Sequence, residues 1–258
     1  MAIIKTSEEI EILRRGGALL AAALKEVARE VRPGVRTSEL DAVAERAIRA
    51  GGGEPSFLGY KNRASDRPFT TTLCTSINHE VVHAPAKPGR ELKDGDVVGL
   101  DIGARAEGYC TDMAVTVGVG QISKEAKRLV AVTRESLLRG LAAVKPGAWI
   151  ADIGRAVQTY VEREGYSVVR DLVGHGIGTG VHEEPRIPNY VDQRQKPVRI
   201  EAGMALCLEP MVAVGHYAVG TLPDGWTIVT ADRTLAAHFE VTIIVNKKGY
   251  EIITPLPV

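Results

Sequence analysis

The chain has 258 residues, of which 45% are hydrophobic, enough for one large domain or two small ones with a real core. Its 32 basic and 32 acidic side chains give zero formal net charge, which argues against nucleic acid or an anionic membrane as a partner. The three cysteines, Cys74, Cys110 and Cys207, form no C-x-x-C pair and indicate reduced thiols in a cytoplasmic protein. Neither a secretory leader pattern nor a run of 18 apolar residues is found, so we expect no membrane span.

Helices and strands are predicted in two successive rounds. The first helix begins after Ser7, with Glu8 and Glu9 in its first turn, and Gly16 and Gly17 weaken its middle. In chain order, the helices are predicted over 7–31, from 37 or 38 to the glycines at 51–53, over 123–144 and over 151–163. The strands are predicted near 71–76, 79–83, 96–103, 109–117, 166–172, 204–214, 226–230 and 236–246. Because no linker separates the rounds, we expect one domain over residues 1–258.

The two rounds contain an internal repeat. Val31–Gly34 and Val144–Gly147 share the pattern Val-basic-Pro-Gly, and each precedes a helix that ends at a glycine. Each round also has a glycine six residues before an acid at the end of an apolar run: Gly95 before Asp101, and Gly203 before Glu209. The repeat indicates two similar α+β halves around a pseudo-twofold axis, each contributing acids to one central site.

Two acids lie in the predicted hairpin of the first half. Asp101 ends one strand, Asp112 lies in the next, and the turn 105–108 is midway between them. A simple hairpin with this centre places Asp101 directly opposite Asp112 on one face. Two carboxylates about 5 Å apart on an apolar sheet are destabilising unless a cation lies between them.

The second half also places acids among apolar residues. Glu209 follows the run 204–208, and Glu240 lies between His238-Phe239 and a β-branched run, where an unpaired carboxylate is costly. Four such acids and one imidazole suit two divalent ions such as Mn, Fe, Co or Zn. A pair of ions of this kind can activate a water for hydrolysis.

Two histidines, His175 and His182, lie seven residues apart in a glycine-rich segment that we expect to be a loop. Gly174, Gly176 and Gly178 allow close approach of the backbone, so the imidazole of His175 can reach a metal. His83, which follows two valines, is by itself a weaker candidate.

These motifs resemble type I methionine aminopeptidases of peptidase family M24. The resemblance is carried by the segments 174–178, 182–185, 188–190, 76–83 and 224–227, and it extends over nearly the whole chain from about residue 5. It implies the α+β pita-bread fold, in which two pseudo-symmetric halves surround a central antiparallel sheet. It also implies that five residues ligate the metals: Asp101, Asp112, His175, Glu209 and Glu240.

The resemblance further implies roles around the metals. Asp112 and Glu240 bridge the two ions, and Asp101 binds one of them through both oxygens. Glu209 also shuttles the proton between water and the leaving amine. His83 and His182 contact the substrate and stabilise the tetrahedral intermediate. His79 falls outside the motif and is assigned no role.

The implied pocket for the methionine side chain is apolar. Its lining is expected to include Tyr60, Phe69, Cys74 and Trp226. The chain departs from the family pattern nearby: residues 61–66 look like an insertion, and Val181 replaces a usual aromatic residue. Ala84 replaces a usual glycine, and Leu172 stands where methionine or an aromatic residue is usual. These departures concern the shape of the pocket.

The resemblance implies an enzyme that removes the initiator methionine from nascent chains and prefers a small second residue. We expect a cytoplasmic monomer with transient ribosome contact and with two ions from the set Co, Mn, Fe and Zn. Two alternatives are open. One is an Xaa-Pro dipeptidase or aminopeptidase of the same fold, although residues 239–242 lack its expected arginine and second acid. The other is a non-catalytic pita-bread binding module, although such modules lose metal ligands that are all present here.

Overall fold

The computed structural model describes residues 4–61 and 67–257. Its helices are α1 (Ser7–Arg29), α2 (Thr37–Ala50), α3 (Lys124–Ala142) and α4 (Ile150–Arg163). Thr6 caps α1, because its hydroxyl accepts from the amide of Glu9 while the Glu9 carboxylate accepts from the amide of Thr6. Ser123 caps α3 through the amide of Ala126. None of the helices in these ranges has the length and apolar character needed to cross a bilayer.

The strands are short except in the centre of the molecule. In chain order they are β1 (Glu54–Pro55), β2 (Leu73–Ile77), β3 (Glu80–Val82), β4 (Val97–Ala106), β5 (Tyr109–Gly118), β6 (Ser167–Val168), β7 (Gly174–Gly176), β8 (Glu183–Ile187), β9 (Ala205–Leu208), β10 (Met211–Ala213), β11 (Val219–Thr221), β12 (Ile228–Thr230), β13 (Ala236–His238), β14 (Glu240–Asn246) and β15 (Gly249–Ile252). The main antiparallel sheet has the order β1-β4-β5-β14-β9-β7-β8, with β2 on β4 and β15 on β14.

The internal repeat of the sequence corresponds to a symmetry within the central sheet. The order β2-β4-β5 on one side corresponds to β7-β9-β14 on the other, and the two sides join through β5 and β14. The amides of Gly34 and Gly147 donate equivalent 2.8 Å hydrogen bonds to the carbonyls of Leu92 and Ile200. The glycines before the acid-bearing strands also have matching φ angles: +94° at Gly95 and +95° at Gly203. The predicted pseudo-symmetric α+β architecture is therefore confirmed.

Along the central strands, successive side chains alternate between the apolar core and the face that carries the candidate site. Leu100 and Ile102 of β4, like Val241 and Ile243 of β14, belong to the main apolar cluster that includes side chains of all four helices. The residues between them point to the opposite face of the sheet, because successive side chains of a strand alternate. Asp101 is one of these, and it is buried on the face away from the helices.

The register of the β4–β5 hairpin differs from the prediction. The turn consists of Glu107 and Gly108, both with positive φ, so Asp101 pairs with Ala114 and Asp112 pairs with Gly103. The expectation that the two acids are directly opposed was wrong. They are diagonal neighbours, and they share a face because the register differs by two residues.

Other predicted elements also differ from the structure. The strands predicted over 204–214 and 236–246 are each divided into two, as β9 and β10 and as β13 and β14. The segment expected to be a glycine-rich loop contains β7, which pairs with β8 and β9. The strand predicted over 166–172 is only the two residues of β6. Helix α1 is continuous through Gly16 and Gly17, and a Cβ atom on Gly17 would collide with the carbonyl of Ile253. That glycine is therefore explained by close packing of the helix on the chain end.

Thr242 ties the two halves together, and replacing it is expected to destabilise the protein. Its hydroxyl donates to the carbonyl of Asp112 (2.7 Å) and accepts from the Asp112 amide (3.0 Å). Thr242→Val should cost about 1–3 kcal/mol, because buried backbone groups lose their partner. Thr133→Val is the matched control, since among the described residues the Thr133 hydroxyl bonds only the carbonyl of Leu129 in its own helix. Urea unfolding measures both, and equal losses would contradict the prediction.

Candidate metal centre

The face of the sheet opposite the helices carries a cavity with a polar floor. The structure brings together there every residue that the sequence suggested for metal binding, catalysis or substrate contact. The cavity is lined by Phe57, Tyr60, Phe69, Cys74, His83, Asp101, Asp112, His175, Val181, His182, Glu209, Trp226, His238 and Glu240. His79 is not among these residues, and its Nε2 lies 3.3 Å from a guanidinium nitrogen of Arg233.

Three carboxylates are grouped by the central strands. Asp101 on β4 and Glu240 on β14 are both paired with Ala114 of β5, which lies between them, and Asp112 is two residues along β5. Ligand atoms of these three acids all lie within 4.8 Å of one another. Their exposed fractions are only 3–6%. Pairing across three adjacent strands thus explains why distant acids of the sequence form one cluster.

His175 lies in β7, beside the carboxylate group. Gly174 and Gly176 permit this position, because a Cβ atom on either would collide with a backbone carbonyl of Cys207 or Glu184. The Nδ1 atom of His175 donates to the carbonyl of Gly176 at 2.9 Å, since a carbonyl can only accept. The Nε2 atom therefore keeps its lone pair, and it lies 3.4 Å from Oε1 of Glu209.

Glu209 follows β9 directly, and its side chain is 12% exposed. The side-chain amide of Asn189, from the motif 188–190, donates to the Glu209 backbone carbonyl at 2.9 Å. This bond fixes the main chain at the end of β9. The carboxylate is left free to face the imidazole of His175 and the other acids.

Burial governs the titration of the cluster. It raises the pKa of Asp101 to about 7 and raises the pKa values of Asp112, Glu209 and Glu240 well above their usual range, with neighbouring carboxylates adding to the last three. Burial, with help from nearby His182, lowers the pKa of His175 to about 3. Several ionised carboxylates in this setting therefore require a cation for charge balance.

Divalent metal ions fit these residues. Within the described residues, one buried oxygen of each of the four acids has no hydrogen-bond partner: Asp101 Oδ1, Asp112 Oδ1, Glu209 Oε1 and Glu240 Oε1. Such atoms are rare in folded proteins unless an ion or water satisfies them. Carboxylate oxygens with an imidazole nitrogen form a donor set that several divalent ions accept. The arrangement can therefore bind metal and support metal-assisted hydrolysis.

The metal-free protein is expected to lose stability as the pH rises above 8. Between about pH 4 and 6.5 the folded state binds extra protons on the four acids, whereas the unfolded chain binds extra protons on the histidines whose pKa is lowered in the folded state. The two effects on the free energy of unfolding therefore oppose each other. Above about pH 8 the unfolded histidines are almost fully neutral, while the folded state still holds protons on buried groups whose pKa is raised, including the Cys110 thiol with a pKa of about 11. Each proton held only in the folded state then costs about 1.4 kcal/mol per pH unit. Urea unfolding in EDTA at pH 8 and 9 measures the slope. Stability that holds or rises over this interval would contradict the expectation.

Aromatic side chains form the wall of the cavity. Phe69 lies edge-on to Trp226, with 5.2 Å between ring centroids, and to Phe57, with 6.5 Å. Trp226 is held by an Asx turn, in which Asp224 Oδ1 accepts from the amides of Trp226 and Thr227. An apolar wall beside a carboxylate floor suits a substrate with one apolar and one polar end.

Two further histidines face the cavity beside the acids. The Nδ1 atom of His182 is 2.7 Å from the Tyr60 hydroxyl, and the rings of His182 and His175 are 4.4 Å apart. His83 follows β3 with a φ of +60°, an uncommon conformation for a residue with a side chain. Burial lowers the pKa of both groups, to about 4 for His83, so both are neutral near pH 7.

Sequence reasoning missed two residues of the cavity, Phe57 and His238. For His238 a signal existed, because it lies two residues before Glu240 and such a spacing places both side chains on one face of an extended chain. For Phe57 the local sequence carries no comparable signal. Val181 does line the cavity. Of the apparent insertion at 61–66, residues 62–66 lie outside the described ranges.

Comparison with known proteins agrees with the site. The sequence profile of metallopeptidase family M24 matches residues 11–247. Methionine aminopeptidase 1 of Bacillus subtilis is 46% identical over 255 residues, covering 98% of this chain and 99% of the relative. The crystal structure of a methionine aminopeptidase from Thermotoga maritima matches with a TM-score of 0.93 and 38% identity, covering 98% and 99% of the two chains.

A prolidase from Pyrococcus horikoshii matches at a TM-score of 0.79 but only 21% identity, and this chain covers 64% of it. That likeness shows the shared pita-bread fold, as the sequence predicted. The closer relatives favour the methionine aminopeptidases over the Xaa-Pro enzymes and over a non-catalytic module. The chain belongs to metallopeptidase family M24 and, within it, to the methionine aminopeptidases.

Proposed function

We propose that this protein removes the N-terminal methionine from peptides and nascent chains that have a small second residue. The observation that carries the proposal is the cavity itself, where an aromatic wall adjoins a floor of acids and imidazoles. Such a cavity accepts an apolar first side chain while the free amine and the first peptide bond reach the polar floor. The whole chain acts as one catalytic domain, since both halves supply residues to the floor.

Five residues would hold two divalent ions. Asp101, Asp112 and Glu240 would hold one ion, and His175, Glu209, Asp112 and Glu240 would hold the other. When bound, the ions polarise the scissile carbonyl and lower the pKa of a water. Co, Mn, Fe and Zn are the candidates, because this donor set accepts each of them.

The remaining roles belong to side chains around the floor. Glu209 accepts a proton from the attacking water and returns it to the leaving amine. His182, oriented by the Tyr60 hydroxyl, donates a hydrogen bond to the developing oxyanion. His83 contacts the substrate backbone. Tyr60, Phe69, Cys74 and Trp226 enclose the methionine side chain, and Val181 widens this pocket relative to an aromatic residue.

The setting of the reaction follows from the substrate. Initiator methionine is exposed on chains leaving the ribosome, so we place the enzyme in the cytoplasm with transient ribosome contact. Balanced charge supports contact that is brief and without specificity for nucleic acid. We propose a monomer, since both halves of the site come from one chain.

Hydrolysis of Met-Ala-Ser and Ala-Pro-Ala by metal-stripped enzyme, reloaded in turn with Mn, Fe, Co or Zn, tests the proposal. We expect cleavage of Met-Ala-Ser alone, restored by metal, and the restored rates rank the ions. Preference for Ala-Pro-Ala would assign the protein to the Xaa-Pro enzymes. Cleavage of neither peptide would support a non-catalytic module. Either of the last two results overturns the proposal.

A further inference from the structure

One imidazole at the floor of the cavity has no role in the proposed reaction. His238 ends β13, and 3% of its surface is exposed. Its Nε2 atom is 3.8 Å from Oε2 of Glu240 and 4.0 Å from Oε2 of Glu209. Glu209 therefore lies between two imidazoles, since its other oxygen, Oε1, is 3.4 Å from the Nε2 atom of His175.

The backbone of His238 is held in place from the other half of the molecule. The hydroxyl of Thr116 on β5 accepts from the His238 amide and donates to the His238 carbonyl, both at 2.9 Å. Both groups of this clamp are buried. The main chain at His238 is thus fixed by the central sheet.

The Nε2 atom of His238 has no hydrogen-bond partner among the described residues, and neither has Oε1 of Glu209 or Oε1 of Glu240. Separations of 3.8 and 4.0 Å are too long for a hydrogen bond. They do suit a shared ion, because metal–ligand bonds of about 2.1 Å place two donors of one ion roughly 3 to 4 Å apart. Ligand atoms of Glu209, His238 and Glu240 indeed all lie within 4.8 Å of one another.

We propose that His238 is a further metal ligand, which gives a second imidazole nitrogen to the ion held by His175, Glu209 and Glu240. The inference rests on the metal centre of the proposed function. The two ions then have different donor sets: the site of Asp101 and Asp112 has oxygen donors, and the other has two imidazole nitrogens beside its carboxylate oxygens. Imidazole suits Zn, Fe and Co, whereas oxygen donors suit Mn and Mg, so the two sites differ in metal preference.

Cobalt binding to the whole chain tests the proposal. A histidine bound through Nε2 keeps an exchangeable Nδ1 proton, which a paramagnetic Co²⁺ shifts far outside the normal proton NMR range. We expect two such signals in the Co²⁺-loaded protein, one from His175 and one from His238. We expect one signal in His238→Gln, with Co²⁺ affinity by calorimetry at least about 10-fold lower, since loss of a group that merely orients a ligand already costs that much. Mn²⁺ affinity at the other site should be unchanged.

His79→Gln is the matched control, because His79 lies outside the cavity, and it should keep both signals. A single shifted signal in the unaltered protein, which needs no variant to fold, overturns the inference. Cobalt affinity of His238→Gln equal to that of the unaltered protein also overturns it. Cleavage of Met-Ala-Ser reports separately on the proposed function: a protein that cleaves this peptide but gives one signal retains the function and loses the inference. Two signals without cleavage of the peptide would support the inference and overturn the proposed function.

Discussion

The Asp112→Asn variant is expected to lose metal and activity while its metal-free form becomes more stable. Asp112 lies beside Asp101 and Glu240, and we propose that it bridges the ions, so its loss weakens both metal sites. Metal-assisted hydrolysis draws several kcal/mol from the ions, and kcat/KM should fall at least about a thousandfold. In the metal-free protein the substitution removes a buried carboxyl group whose pKa is raised by burial and by like charges. The free energy of unfolding of the metal-free variant at pH 8 in EDTA should then be higher by at least about 1 kcal/mol.

Asp41→Asn is the matched control, since Asp41 is also buried but lies outside the cavity. Its Oδ1 accepts from the amides of Thr72 and Leu73, and Lys87 is 3.0 Å from its other oxygen. This change should lower stability by about 1–3 kcal/mol and leave the metal content unchanged. Metal content, peptide hydrolysis and urea unfolding distinguish the two variants. If the Asp112→Asn variant kept normal metal content and activity, the proposed metal centre would be wrong.

The Glu209→Gln variant is expected to bind metal with reduced affinity and to turn over very slowly even when saturated with it. Glutamine keeps an oxygen donor but cannot accept and return a proton. General acid–base catalysis contributes about a hundredfold to ten-thousandfold, so kcat should fall within that range at saturating metal. The KM for Met-Ala-Ser should change little, because the aromatic wall is untouched.

Steady-state kinetics over a series of metal concentrations separate lost metal from lost proton transfer. Recovery of normal kcat at high metal would show that Glu209 acts only as a ligand, against the proposed role. The pH dependence adds a second measure. We expect the ionisation of Glu209 to produce one limb of the pH profile of kcat, and that limb should disappear in the Glu209→Gln variant. A profile of unchanged shape would show that another group produces the limb.

The face of the sheet that carries the acids was predictable, but the pairing of its strands was not. The expected hairpin placed Asp101 and Asp112 on one face, and this holds because the register differs from the expected one by an even number of residues. The expected hairpin had the centre of its turn midway between the two acids, which is one residue too early in the chain. The positive φ angles of Glu107 and Gly108 determine it, and the preference of Asp-Gly-like pairs for such turns was the signal available.

Other parts of the structure depend on contacts that a single sequence does not display. Strand β7 has three residues, two of them glycine, and becomes a strand because β8 and β9 supply its hydrogen-bond partners. The strands β11 and β15 are similarly short and were not predicted. Phe57 reaches the cavity only because its segment folds beside β4. The motif residues, by contrast, carried most of the site, since each stands in a distinctive local pattern.

The join between β5 and β14 has a consequence for the ancestry of the protein. Each half supplies acids to the floor, and neither half holds a complete donor set by itself. A half-length ancestor could have built such a site only as a homodimer, with its twofold axis through the contact that β5 and β14 now make. Fusion of the two copies would then have freed each half to diverge. In that history, a histidine such as His175 could arise on one side and an aspartate such as Asp101 could remain on the other.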